Sequence, residues 1–131
     1  RFAEAFAEYA HHKVRTEFWG YAAKESLDNE AFIKEEYQGI RPAPGYPSCP
    51  DHRLKNDIWD LLDVEQKINI SLTDSLAMWP TASVSGLYFS HPQSRYFQLG
   101  RIDKDQVEAY SKSRGESIDE NETWLSPVLG Y

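Results

Sequence analysis

Cysteine is nearly missing from this sequence: Cys49 is the single one, so neither an internal disulfide nor paired-thiol redox chemistry can form within the chain, as fits a reducing compartment. Long apolar runs are missing as well. No stretch of about 18 apolar residues occurs, and no basic segment followed by an apolar run opens the chain, so the sequence predicts no spanning helix, no signal peptide and no membrane contact. A soluble, cytoplasmic protein is the expectation. Basic charge is scarce: 14 Lys and Arg face 21 Asp and Glu, a net charge of -7, which repels a phosphate backbone and argues against a nucleic-acid partner. Catalytic signatures are lacking too, with no nucleophile elbow, phosphate-cradling glycine loop or serine-histidine-acid set. No residue is therefore assigned a catalytic role, and any chemistry comes through positioning or a cofactor.

What is present suffices for one core. At 131 residues, 40% of them hydrophobic and 14% aromatic, the chain reads as a single domain over residues 1–131. Arg1 to Phe18 reads as a helix already in mid-stride, without a capping residue, which suggests a piece of a longer chain. Phe2, Phe6, Tyr9, Ala10, Val14 and Phe18 recur at helical spacing, predicting one buried face over roughly five turns, with Gly20 as a stop. A second helix is expected from near Asp28 towards Tyr37, and a third is capped by Asp51 with Leu54, Ile58, Leu61 and Leu62 on its buried face. A further turn follows from about Asp63 to Ile68. Between Ala82 and Phe89, and again between Arg95 and Leu99, β-branched and aromatic residues predict short strands. Asp103 with Gln106 and Ser117 with Glu120 read as capping signatures of two closing helices, the first ended by Gly115. The order of elements predicts an α+β fold: an antiparallel sheet covered by several helices.

Three constellations could carry chemistry. Residues 41–50 read R-P-A-P-G-Y-P-S-C-P, a loop stiffened by four prolines. Its only main-chain donors from 42 to 47 are Ala43, Gly45 and Tyr46, its carbonyls can accept, and Gly45 would let a flat ligand approach. Arg41 at its mouth could grip a carboxylate through two parallel hydrogen bonds, or could simply pair with a nearby glutamate. The aromatics Tyr88, Phe89, Tyr96 and Phe97 would alternate across strand faces, leaving one of each pair for adenine or a sulfonium cation and the other for the core. Cys49, Asp51, His52 and His91 have metal-ligating chemistry but no paired zinc spacing, and no metal site is assigned. His11 and His12, adjacent on one helix, cannot face the same ion and read as exposed or partly packed.

At Arg41 to His52, R-P-A-P-G-Y-P-S-C-P-D-H, the chain closely resembles the S-adenosylmethionine-binding motif of the methionine synthase activation domain. The resemblance continues through F-W-G-Y-A (Phe18 to Ala22), Y-Q-G-I-R (Tyr37 to Arg41), L-T-D-S-L-A-M-W-P (Leu72 to Pro80), A-S-V-S-G-L-Y-F-S-H-P (Ala82 to Pro92), D-Q-V-E-A-Y (Asp105 to Tyr110) and the closing W-L-S-P-V-L-G-Y. It implies that residues 1–131 form the C-terminal portion of a C-shaped domain about twice as long, whose other half supplies an acidic ligand-binding residue. It further implies that Arg41 holds the methionine portion of S-adenosylmethionine, that Ala43 and Gly45 contribute backbone contacts, and that Tyr46, Tyr96, Phe97 and Glu4 complete the site. Two departures stand out: Phe97 where the family often has a second tyrosine, and Val128 where it has asparagine.

The activity implied is part of a methyltransferase: reductive methylation of cob(II)alamin to methylcobalamin during methionine biosynthesis, with no activity expected of the fragment alone. The implied cofactors are S-adenosylmethionine, cobalamin held by a neighbouring domain, and zinc elsewhere in the full enzyme. The implied partners are the cobalamin-binding domain of the same enzyme and a flavodoxin-like electron donor, and Tyr46 is the residue expected to face the corrin. The competing expectation is a non-catalytic interaction module whose acidic surface docks an electron donor or the cobalamin domain.

Overall fold

The structure, a computed structural model, describes residues 1–131. It opens with helix α1 (Phe2–Lys13), which runs into a π-helical turn at Val14–Phe18 and stops before Gly20, whose φ is +73°. The predicted apolar face is not the buried one. Phe2, Phe6, Tyr9 and Phe18 are exposed, while His11 and Arg15 are wholly buried. The sequence expectation for His11 is thereby corrected: its ring lies between Tyr37, edge-on, and Tyr88, stacked, with centroids 5.0 Å away in each case. The physical reason lies in a second periodicity. Glu4, Glu8, His11 and Arg15 follow i, i+4, i+7, i+11 spacing on the opposite side of the helix, and beyond the exposed Glu4 this polar stripe meets hydrogen-bonding partners that offset its burial. Arg15 donates from Nε and Nη2 to Glu25 at 2.7 and 2.8 Å and lies over the Tyr37 ring at 4.0 Å.

Helix α2 (Asn29–Ile33) is capped as expected by Asp28, whose Oδ1 accepts from the Ala31 N–H, but it ends early, with Glu35 in the left-handed region. Helix α3 (Leu54–Leu62) differs more. Leu61 and Leu62 are exposed, and the buried residue of this helix is Lys55. Asp51 does not cap it directly: its Oδ1 accepts at 2.8 Å from the N–H of Arg53, the residue just before the first turn. Helix α4 (Val64–Ile68) follows at once, and Asp63 makes the corner in the left-handed conformation.

Strands β1 (Ser71–Leu72) and β2 (Met78–Trp79) pair antiparallel, Ser71 opposite Trp79 and Leu72 opposite Met78. The predicted antiparallel sheet exists in this small form. The segments 82–89 and 95–99 form no regular ladder, and proline explains the first of them. Ile40 and Phe89 exchange both backbone hydrogen bonds at 3.0 Å, and Leu87 donates to the Pro42 carbonyl at 2.9 Å. Pro42 has no N–H with which to reply, so the pairing is limited to an isolated bridge. At the bridge, Gly39 has φ +87°, and a Cβ there would stand 2.3 Å from the Phe89 carbonyl oxygen. Gly39→Ala is expected to lower stability by about 2 kcal/mol or more, because left-handed strain and a backbone clash act together. Urea unfolding checks it; an unchanged midpoint would show that the bridge yields freely.

Helices α5 (Lys104–Arg114) and α6 (Ile118–Leu125) carry the predicted capping. Asp103 and Gln106 form a capping box, Gly115 closes α5 at φ +71°, and Ser117 Oγ accepts from the Glu120 N–H at 3.2 Å. Between them sits the main apolar cluster, Ile102, Val107 and Leu125, covered by Tyr110, Ile118, Val128 and Leu129. A buried polar knot ties this unit to the proline loop. Arg53 donates to both Asp51 oxygens, at 3.1 and 2.7 Å, to Glu116 at 2.5 Å and to Asn121 at 2.6 Å, and Tyr110 donates to Asp51 at 2.8 Å.

Candidate functional site

The proline loop forms one wall of a cleft of about 860 Å³, faced by residues 83–88 and by Tyr96 and Phe97. All seven residues singled out from the sequence line it: Glu4, Arg41, Ala43, Gly45, Tyr46, Tyr96 and Phe97. Glu4 comes from the polar stripe of α1 at the rim. Tyr96 is tied to the loop, its hydroxyl accepting from the Arg41 N–H at 2.8 Å, while Phe97, lacking a hydroxyl, is the more exposed ring.

The loop's backbone is less open than the sequence suggests. Gly45 N–H donates to the Cys49 carbonyl at 2.7 Å and Tyr46 N–H to Ala43 at 3.2 Å, so Ala43 holds the one donor of the strip without a partner in the chain. The carbonyls of Pro42, Ala43, Tyr46 and Pro47 accept internal hydrogen bonds, which leaves those of Arg41, Pro44 and Gly45 free. Gly45 also packs closely against a neighbouring side chain. Its φ is +97°, and a Cβ would meet the His52 ring at 2.2 Å. The missing side chain thus makes room for His52.

Arg41 is only partly exposed. Its Nη2 donates to Glu8 Oε2 at 2.5 Å, and its Nη1 donates to the Tyr37 hydroxyl at 3.0 Å and His11 Nδ1 at 3.2 Å. The ion pair with a glutamate that composition allowed is therefore present. Burial, helped by the charges of Arg15 and Arg41, pushes the His11 pKa down to about 3, so the ring is neutral near pH 7. Since arginine only donates, Nδ1 must accept and Nε2 must carry the hydrogen, directed at the Tyr21 hydroxyl 3.4 Å away.

The sequence reading gave no cleft role to Lys55, and weighed His52 only as a metal ligand; both line the cleft. Lys55 is buried and donates to the Leu76 carbonyl at 2.6 Å and to His52 Nδ1 at 2.8 Å. Burial lowers its pKa, and burial followed by the Lys55 charge lowers that of His52. A lone lysine on an amphipathic helix gives no sequence signal of this kind. Of the metal-capable residues, Asp51 is engaged by Arg53, and Cys49, Asp51, His52 and His91 assemble no group of three that could hold an ion. No helix is long and apolar enough to cross a membrane.

Residues 1–115 match the family described as vitamin B12 dependent methionine synthase, activation domain. The chain is also similar to a crystal structure of the MetH reactivation domain bound to AdoHcy, at 59% identity and a TM-score of 0.95. That match covers 100% of this chain and 40% of the solved one.

Proposed function

The chain belongs to the vitamin B12 dependent methionine synthase activation domain family, and from that premise we propose that its cleft binds S-adenosylmethionine and presents the sulfonium methyl to a cobalamin carried elsewhere. The observation that carries this reading is the gathering of Arg41, the proline strip and the Tyr96–Phe97 pair around one cleft. Arginine has five N–H donors, and three of those of Arg41 are engaged by Glu8, Tyr37 and His11. The remaining two, on Nε and Nη2, suit a ligand carboxylate. The Ala43 N–H and the free carbonyls of Arg41, Pro44 and Gly45 offer one donor and three acceptors to the ammonium and adenine groups. Tyr96 and Phe97 offer ring faces to the purine or the sulfonium cation.

Cobalamin, when bound by its own domain, supplies a nucleophilic cobalt that accepts the methyl group. This chain's residues then have no proton to move. Their work is to orient the sulfonium and exclude water. Tyr46, exposed at the cleft's edge, is the side chain proposed to face the corrin. The complete methyltransferase, with its cobalamin domain and a flavodoxin-like electron donor as partners, is the proposed setting. Zinc belongs to another part of that enzyme, and no step here passes through it.

Titration calorimetry on the complete protein tests the reading. S-adenosylmethionine and S-adenosylhomocysteine are each expected to bind one to one, and adenosine, which lacks the carboxylate, at least tenfold more weakly, as befits loss of a charged hydrogen-bond pair. Absence of saturable heat with either sulfur compound at millimolar concentration would overturn it.

A further inference from the structure

We infer that Glu8, His11 and Tyr37 are positioning residues for Arg41, a three-acceptor cradle that fixes its guanidinium so that two donors stay available to a ligand carboxylate. The inference rests on the carboxylate-binding reading proposed above and says which side chains give that grip its selectivity. The three acceptors come from two elements: Glu8 and His11 stand on α1, and Tyr37 lies four residues before Arg41.

The distribution of charge among the three is the argument. Glu8 touches Arg41 through Oε2 alone; its Oε1 is buried without a partner. A carboxylate acting as the final partner of an arginine normally closes both parallel hydrogen bonds, as Glu25 does on Arg15. Here the second bond is not made. The other two acceptors are a phenol and an imidazole, and the imidazole is neutral because it is wholly buried beside two guanidinium groups. Neutral acceptors direct a cation without cancelling it. Both hydrogens of Nη1 are taken by them, so the guanidinium cannot turn about its last bonds without breaking a hydrogen bond in a buried setting. The His11 ring is itself held between Tyr37 and Tyr88 and by the Tyr21 hydroxyl. The cradle is thus anchored on three sides. A ligand carboxylate meets an arginine whose ordering cost has been met during folding.

Calorimetry with two ligands separates this role from a merely structural one. S-adenosylmethionine carries the carboxylate, and decarboxylated S-adenosylmethionine keeps every other group. In the complete protein, Tyr37→Phe removes one acceptor and keeps the ring that packs on His11 and Arg15; it is expected to weaken S-adenosylmethionine about five- to tenfold and the decarboxylated ligand less than twofold. Glu8→Gln is expected to do the same. His11→Leu should show the same selectivity, and His11→Asn, whose amide oxygen can take the place of Nδ1, should recover part of the loss. Should His11→Leu fail to fold, the first two variants decide alone. Equal weakening of both ligands, or of neither, by Tyr37→Phe and Glu8→Gln overturns the inference. An Arg41→Ala control keeps the two readings apart: if it weakens both ligands equally, the carboxylate-binding reading itself fails, whereas if Arg41→Ala is selective and the cradle variants are not, only the cradle falls.

Discussion

Arg41→Ala is expected to weaken S-adenosylmethionine binding by at least about 30-fold, or roughly 2 kcal/mol, in the complete protein. The size follows from the chemistry of the loss. A carboxylate held against a partly buried guanidinium loses a charged, two-point partner, and nothing else lining this cleft offers it a comparable fork. Lys55, a nearby cation, is buried and already donates to the Leu76 carbonyl and His52. Arg41→Lys is expected to fall between alanine and the native residue, because lysine keeps the charge and loses the planar pair of donors. Alanine also leaves the Glu8 carboxylate without its cation, so thermal unfolding must accompany the titration. Binding unchanged within twofold in a folded Arg41→Ala protein would remove the carboxylate grip from the reading.

The second large effect concerns the knot beneath the loop. Asp51→Ala is expected to destabilise the fold by on the order of 3 kcal/mol, since it strips a buried guanidinium of a two-oxygen partner and leaves the Tyr110 hydroxyl without its acceptor. Glu116 and Asn121 still hold Arg53, which keeps the figure at the lower end for breaking a buried pair. Acid should act on the same group. Burial alone would raise the Asp51 pKa, but the hydrogen bonds from Arg53 and Tyr110 and the Arg53 charge outweigh it and hold the carboxyl below its ordinary value. Glu116 is lowered as well, first by its hydrogen bond from Arg114. Folded-state values below the unfolded ones mean that these groups contribute stability above the ordinary carboxylate range, near pH 4, and that it is lost as pH falls through their folded values. Urea unfolding at pH 7 and at pH 4 or below checks both points. The native protein should lose stability on acidification, and Asp51→Asn should lose less. An acid response identical in the two would place the dependence elsewhere.

The parts of this molecule that could be read from its sequence are those where local chemistry decides. The capping box at Asp103 and Gln106, the Ser117 cap and the Gly115 stop appear where the residue types place them, because the interactions span three or four residues. The proline loop is legible for the same reason: its prolines restrict the backbone wherever the chain goes. The gathering of Glu4, Arg41 and the Tyr96–Phe97 pair around one cleft followed from family resemblance rather than spacing, since 92 or more positions separate Glu4 from the aromatics.

The faces of α1 and α3 could not be read that way. In α1 two stripes share helical spacing, one aromatic and one charged, and hydrophobicity alone selects Phe2, Phe6 and Tyr9. Glu8, His11 and Arg15 of the charged stripe face inward because Arg41 and Glu25 supply hydrogen bonds and the Tyr37 ring packs on His11 and Arg15. Lys55 in α3 is buried on similar terms, through the carbonyl of Leu76. Periodicity locates a face and leaves open which neighbours will meet it.

The bridge between Ile40 and Phe89 sets a register with a further consequence. Carried on, it would bring residue 42 opposite 87 and residue 44 opposite 85, and each step would need an N–H pointing across the gap. Both of those positions are proline. Two extended segments that begin to zip at one end keep only the single bond from the Leu87 N–H to the Pro42 carbonyl at the next step, and past it the regular ladder ends without a wedge or a bulky spacer. Two absent hydrogens keep the mouth open.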